Sequence, residues 1–194
     1  MKVKVWGDSW LADHLGSYIN SLDDDEVSGA MYAEYHVSAQ HDHIFTRDEI
    51  DRYGYILNIH FSDTSVMRGC NVMSHAIELG LEETAITFHV IDEGIDTGPI
   101  VLKIRVPIDE KETAYTLYRK CSELALEVFT SQWHWLREKP EGIPLKIPGP
   151  YYGRDLNREM PITREQERFI RSRTFTGKPR PYVIVDGEEM VIGG

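Results

Sequence analysis

The sequence predicts an α/β fold, with a Rossmann-like core over residues 1–138 and a small extension over 139–194 made of a linker, a short helix and a β-hairpin. Three observations lead there. The chain opens as strand, turn and helix. Tyr55-Ile56-Leu57-Asn58-Ile59 is apolar except at Asn58, the pattern of a strand buried on both faces. After Pro140 the periodicity stops, and prolines punctuate the chain until a hairpin signal near its end.

Each element has a local cause. Lys2 to Trp6 reads as a strand, and Gly7-Asp8-Ser9 turns it into a helix from Trp10 to Ser21, with Ser9 as N-cap. Asp23-Asp24-Asp25-Glu26 reads as a solvated acidic loop, and Met31 to Ala39 as a strand. Thr46-Arg47-Asp48-Glu49 is a capping box that opens a short helix. Cys70 to Leu79 reads as a helix closed by Gly80, and Thr84 to Ile91 as a β-branched strand; Ile100 to Val106 is another. Ala114, Leu117, Cys121, Leu124, Val128 and Trp135 make an apolar stripe on a long helix from Thr113 to Glu138, ended by Pro140. A capping box from Thr163 to Gln166 opens a last short helix. Tyr182 to Val185, Asp186-Gly187 and Met190 to Ile192 read as a hairpin with a type I′ turn.

Composition narrows the function. With 41% hydrophobic and 27% charged residues the chain reads as a soluble, globular protein. No apolar run reaches membrane-spanning length and the first residues form a strand rather than a signal peptide, so a cytoplasmic protein is expected. A net charge of −11 argues against nonspecific nucleic-acid binding, which depends on Lys and Arg at phosphates. Basic residues nevertheless crowd the end: Arg154, Arg158, Arg164, Arg168, Arg171, Arg173, Lys178 and Arg180. They form either a solvated helix face balanced by Glu159, Glu165 and Glu167 or a local phosphate-facing patch. Cys70 and Cys121 lie in helix-like apolar patterns, as buried thiols do. His36, His41, His43 and His75 have irregular spacing for a metal and no cysteine joins them, so no metal is expected. His14 and His134 read as ordinary helix residues. The opening turn lacks G-x-G-x-x-G, which removes the dinucleotide fingerprint.

Two segments carry the chemistry. Asn58-Ile59-His60 ends one apolar strand, and Ile91-Asp92-Glu93-Gly94-Ile95-Asp96-Thr97-Gly98-Pro99-Ile100 follows another. An amide, an imidazole and a carboxylate suit acyl transfer to an amine. Asn58 donates to an oxyanion, and His60 moves a proton near neutral pH. Strand alternation sends Asn58 and His60 to one face. A carboxylate at His60 favours the imidazolium, so contact with Asp96 predicts a raised histidine pKa. Taken singly, each residue also has an ordinary structural explanation as a turn or strand-end group.

The spacing of His60 and Asp96, with the Asp-Thr-Gly-Pro ending, closely resembles the N10-formyltetrahydrofolate-dependent formyltransferases. Those enzymes place Asn, His and Asp at the positions of Asn58, His60 and Asp96. Leu57 to Ser62, Arg68-Gly69, Ala76-Ile77 and Thr84 to His89 resemble the family's run from catalytic strand to folate loop. Tyr151-Tyr152-Gly153-Arg154 and the stretch Phe169 to Phe175 resemble the tail of the sugar-nucleotide N-formyltransferases.

That resemblance implies a shortened Rossmann-like formyltransferase core. N10-formyltetrahydrofolate would be co-substrate, and Ile91, Asp92, Glu93, Gly94 and Ile95 would lie along its pterin. The acceptor would be the amine of a nucleotide-linked amino sugar. Ser62, Asp63 and Arg68 would lie on its side, with Tyr151, Tyr152, Arg154 and Phe175 toward the pyrophosphate and base. His89 matches a position that is histidine in some glycinamide ribonucleotide formyltransferases and reads as structural. Two features depart from the pattern. Ser62-Asp63-Thr64-Ser65 replaces the family's Ser-Leu-Leu-Pro; the Asp63 carboxylate either orients a cationic amine or caps the next turn. The stretch before Asn58 is short, as if strands and helices between Ser21 and Met31 were lost, which predicts a reduced folate wall or a homodimer that completes it. Methionyl-tRNA suits this acidic chain poorly as acceptor. Glycinamide ribonucleotide transfer, formyltetrahydrofolate hydrolysis and a non-catalytic nucleotide-sugar-binding module remain as alternatives, and the hairpin offers an edge for dimerisation.

Overall fold

In the computed structural model, which describes residues 1–157, 166–185 and 188–192, the chain begins as β1 (Lys2–Trp6) and α1 (Trp10–Asn20). The Ser9 hydroxyl caps α1 by accepting from the Ala12 N–H at 3.2 Å, and Leu11, Leu15 and Ile19 bury one face of the helix. Next come β2 (Glu26–Val27), a single 3-10 turn at Ala30–Tyr32, and β3 (Tyr35–Ala39). The strand expected from Met31 is therefore confined to its second half. The first half is coiled, with Met31 and Tyr32 exposed.

In the acidic run Asp23, Asp24 and Glu26 are exposed as expected, and Asp25 differs. Asp25 is buried, accepts from the Trp133 indole N–H at 2.8 Å and lies 3.0 Å from the Arg137 guanidinium. A carboxylate tolerates such burial because it is paired and hydrogen-bonded.

Then follow α2 (Arg47–Tyr53), β4 (Ile56–His60), β5 (Arg68–Gly69), α3 (Val72–Glu78), β6 (Glu83–Val90) and β7 (Ile100–Pro107). Both halves of the capping box form at α2: Thr46 accepts from the Glu49 N–H while Glu49 accepts from the Thr46 N–H. The helix read from Cys70 starts two residues later, because Asn71 adopts a left-handed conformation (φ 54°) just before it. Cys70 is left outside the helix and partly exposed, whereas Cys121 is buried.

The long helix α4 (Ala114–Leu136) buries Ala114, Leu117 and Cys121 as expected. Beyond Cys121 the buried row runs through Ala125, Phe129, Trp133 and Leu136. The helix follows steps of four there, so Leu124 and Val128 sit at the margin and Trp135 faces solvent.

The main sheet has the order β2-β1-β3-β4-β6-β7. β1 to β4 run parallel; β6 pairs antiparallel with β4, and β7 with β6. Leu57, Ile59, Ile86 and Phe88 join the buried core together with residues of α1 and α4.

The segment after residue 139 doubles back across the core. Ile143 bridges to Ile100, the Gly149 N–H donates to the Thr64 carbonyl, and β8 (Tyr151–Tyr152) pairs in parallel with β5. α5 (Gln166–Arg173) packs against α3 and α4, burying Phe169. β9 (Tyr182–Val185) and β10 (Glu188–Val191) form the antiparallel hairpin. The Thr163–Gln166 capping box and the Asp186-Gly187 turn involve residues outside those described, as do Arg158, Glu159, Pro161, Arg164 and Glu165. Among the described residues, no helix is long and apolar enough to cross a membrane.

Candidate active site

Asn58 and His60 alternate along β4 and so project from one face of the sheet. β6 pairs with β4 so that His89 stands directly opposite Asn58 and Thr87 opposite His60. Directly opposed residues of an antiparallel pair share a face. The strands thus put one amide and two imidazoles side by side. The loop from Ile91 folds back over this face and delivers Asp96, whose backbone is left-handed (φ 52°).

The Asp96 carboxylate is the hub. Its Oδ1 lies 3.6 Å from His60 Nδ1, 3.5 Å from His89 Nε2 and 3.4 Å from Asn58 Nδ2. Its Oδ2 accepts from the Gly69 N–H at 2.8 Å. Burial alone would raise its pKa, but His89, His60 and the Gly69 N–H outweigh that and hold it down at about 2.

His60 behaves otherwise than expected. Burial drives its pKa down to about 4; Asp96 pulls the other way and loses, while His89 adds to the lowering. The predicted raised pKa is corrected on this point: desolvation of the imidazolium outweighs attraction across 3.6 Å. At neutral pH His60 is a neutral imidazole beside an ionised Asp96. With Nδ1 toward that carboxylate, its Nε2 is buried without a hydrogen-bond partner among the described residues. A buried basic nitrogen with an open lone pair is suited to take a proton from a bound substrate.

His89 is 2% exposed, and its Nδ1 lies 3.2 Å from the Val90 carbonyl. Its Nε2 lies between Asn58 Nδ2 at 3.0 Å and Asp96 Oδ1 at 3.5 Å. Read from sequence alone this histidine was structural; the structure places it within the cluster. The signal was available in the alternation of β6, which sends Ala85, Thr87 and His89 to one face.

The cluster lines a cavity of about 420 Å³. Ile91, Asp92, Glu93, Gly94 and Ile95 form one wall. Asp92 folds this loop by accepting from the Gly94 N–H and the Thr97 hydroxyl. Gly98 fixes the path of the loop, since a Cβ there would lie 1.7 Å from the Val90 carbonyl oxygen. Another wall is the segment between β3 and α2, including His41, Asp42, Ile44 and Phe45, which sequence reasoning did not place at the site. Tyr151, Arg154, Phe175 and Lys178 complete the rim.

The remaining residues expected at the acceptor side separate. Ser62 and Asp63 line a different cavity, of about 440 Å³. Ser62 donates to the Met67 carbonyl, and Asp63 accepts from the Ser65 N–H and pairs with Lys103 at 2.7 Å. Tyr152 packs its ring on His75, 4.4 Å between centroids. Arg68 lies outside the cavity wall and binds two backbone carbonyls. Arg154 pairs with Asp42 at 3.0 Å across the rim. Of the terminal basic residues, Arg173 is buried against Glu78 at 2.8 Å, and Arg171 donates to the Glu112 carbonyl. His36 accepts from the Trp6 indole, and His43 pairs with Glu49. Among the described residues no group of three or more His, Cys, Asp or Glu side chains is placed to hold a metal ion.

Known proteins bear on this arrangement. A methionyl-tRNA formyltransferase from Francisella tularensis subsp. novicida is 32% identical over 155 residues, covering 75% of this chain and 47% of that protein. The chain spans less than half the length of the curated relatives it matches. The crystal structure of a 4-N formyltransferase from Francisella tularensis superposes with a TM-score of 0.82 at 19% identity, covering 98% of this chain and 96% of that one. The N-formyltransferase from Helicobacter canadensis, in complex with folinic acid and dTDP-3-aminofucose, gives 0.79 at 19% identity, covering 97% and 86%. Both likenesses establish a Rossmann-like formyltransferase fold. The family model for formyl transferase matches residues 20–132, more than half of the sequence and all of the Asn58, His60 and Asp96 cluster, and the chain belongs to that family.

Proposed function

We propose that this protein transfers the formyl group of N10-formyltetrahydrofolate to the amine of a nucleotide-linked amino sugar. The observation that carries the reading is the convergence of Asn58, neutral His60 and ionised Asp96 on one wall of a cavity. The fit to a formyl donor rests on the open His60 Nε2 and the loop 91–95 along the adjoining wall.

The residues divide the work. As the acceptor nitrogen attacks the formyl carbon, the Asn58 amino group donates to the developing oxyanion, which takes the place of the long 3.4 Å contact to Asp96. His60 Nε2 accepts the proton released by the attacking nitrogen and returns it to the departing N10. Asp96 stabilises the imidazolium that exists between those transfers. No nucleophilic side chain is needed, because the acceptor amine attacks directly.

The amino-sugar acceptor draws support from the tail. Tyr151, Arg154, Phe175 and Lys178 put aromatic rings and cations at the rim, a composition suited to a base and a pyrophosphate. The Helicobacter canadensis structure, which covers nearly the whole chain, holds folinic acid and an amino sugar linked to dTDP. A second reading, transfer to methionyl-tRNA, draws on the names of the sequence relatives and is opposed by the net charge of −11.

Mass spectrometry tests the proposal. The protein is incubated with N10-formyltetrahydrofolate and a panel of dTDP- and UDP-linked 3-amino and 4-amino sugars, beside methionyl-tRNA, glycinamide ribonucleotide and no-acceptor controls. The expected result is one sugar product heavier by CO, abolished in Asn58→Ala, His60→Ala and Asp96→Ala variants that keep the native circular dichroism. Formylated methionyl-tRNA with no sugar product establishes the second reading. Formate released without any acceptor establishes a hydrolase.

A further inference from the structure

We infer that Arg68 is a positioning residue, which sets the Asp96 carboxylate by clamping its loop to the strap at 149–152. The inference rests on the reading of Asp96 as the carboxylate of the site. Arg68 Nη1 donates to the Ile95 carbonyl at 2.9 Å, one residue before Asp96. Arg68 Nε donates to the Gly149 carbonyl at 2.8 Å. The next residue, Gly69, gives its N–H to Asp96 Oδ2 at 2.8 Å. The dipeptide 68–69 therefore grips the dipeptide 95–96 at two points.

The grip is anchored from behind. β5 pairs with β8, with Arg68 opposite Tyr151 and Gly69 opposite Tyr152. The Arg68 guanidinium also lies 5.8 Å from the centre of the Tyr151 ring. Gly69 has φ +98°, and a Cβ there would lie 2.2 Å from the Tyr152 carbonyl oxygen. This close approach brings the strap against the Gly69 peptide that holds the carboxylate.

Arg68 acts by geometry rather than by charge. The groups that keep Asp96 ionised are His89, His60 and the Gly69 N–H. A guanidinium presents donors in a rigid fork and spans two carbonyls at once; an ammonium is a single point. The backbone of Asp96 is left-handed (φ 52°), and the Arg68 bond to the Ile95 carbonyl holds the peptide that enters that turn. Clamping also links the strap, which carries the rim residue Tyr151, to the carboxylate.

The test compares wild type, Arg68→Ala and Arg68→Lys by two readouts. The first is titration of the Asp96 carboxyl by carbon-13 NMR without substrate. The clamp predicts that Arg68→Ala raises its pKa by about one unit or more, as the Gly69 and histidine contacts loosen, and that Arg68→Lys restores little of the shift. The second is steady-state kinetics with N10-formyltetrahydrofolate and the acceptor found in the screen. There kcat falls about tenfold or more in both variants while both KM values stay within about threefold.

An unchanged Asp96 titration in folded Arg68→Ala overturns the inference, as does full restoration by Arg68→Lys, which would make charge the agent. A rise in acceptor KM with kcat intact also overturns it and makes Arg68 a substrate ligand. Should Arg68→Ala fail to fold, Arg68→Lys decides: an Asp96 titration and kcat like wild type would sink the clamp. Wild-type protein that transfers no formyl group bears on the functional reading alone, since the titration is read without substrate.

Discussion

Asn58 on β4 and His89 on β6 stand directly opposite each other, with the Asn58 amide nitrogen 3.0 Å from His89 Nε2. That contact fixes which way the amide points. The site therefore depends on a buried histidine on the cavity wall that makes no hydrogen bond to His60. His89→Leu removes that contact and is expected to lower kcat about tenfold, with little change in folate KM. His89→Gln, which keeps a polar end near Asn58, is expected to retain more activity. Equal loss in the two variants would show that ring packing matters rather than the hydrogen bond.

The depressed His60 pKa makes stability depend on acidity. An unfolded histidine takes its proton near 6.5, whereas folded His60 resists until about 4. Between those values the unfolded chain binds more protons, so stability falls as pH falls through this window. The full penalty below the lower value is about 3 kcal/mol. Asp96 contributes further down: its stabilisation is present above 3.8 and is lost as pH falls through about 2. Urea unfolding from pH 7 to pH 4 should show a shallower decline in His60→Asn than in wild type. Parallel curves would mean that His60 does not resist protonation in the folded state. In turnover, the neutral imidazole predicts full activity at pH 7 and an acid limb near pH 4 to 5 in kcat/KM of wild type.

Gly98 sits where the loop 91–98 returns to β6. A methyl group there would meet the Val90 carbonyl at 1.7 Å, so the backbone must move. Gly98→Ala is expected to cost about 2 kcal/mol or more and to weaken folate binding more than it lowers stability alone can explain. Differential scanning calorimetry and titration with folinic acid check the two halves. An unaltered Tm would mean that the loop yields freely.

What could be read from sequence was local. The Ser9 cap and the Thr46 box satisfy N–H groups three residues away, so a short window reveals them. Strands β4, β6 and β7 declared themselves through apolar and β-branched runs. The pair β5 and β8 left no such trace: each has two residues, and each is a strand only because the other lies beside it. Asp25 was misread for a related reason. An acidic run looks solvated until the Trp133 indole, far along the chain, supplies a donor. At the site, Asn58, His60 and Asp96 were legible from type and spacing, but the sign of the His60 shift was not. It depends on how completely the fold removes water, which no residue pattern states.

The strap across the core has a kinetic consequence. Arg68 meets Gly149 81 positions away, and Arg154 meets Asp42 112 positions away. Each contact closes a long loop, whose entropic cost precedes its reward. The parallel strands β1, β3 and β4 assemble from nearer segments. High contact order at the rim and low contact order in the sheet imply that the cavity matures after the sheet has formed. A refolding chain would then regain its core fluorescence and amide protection before it regains the ability to hold a ligand.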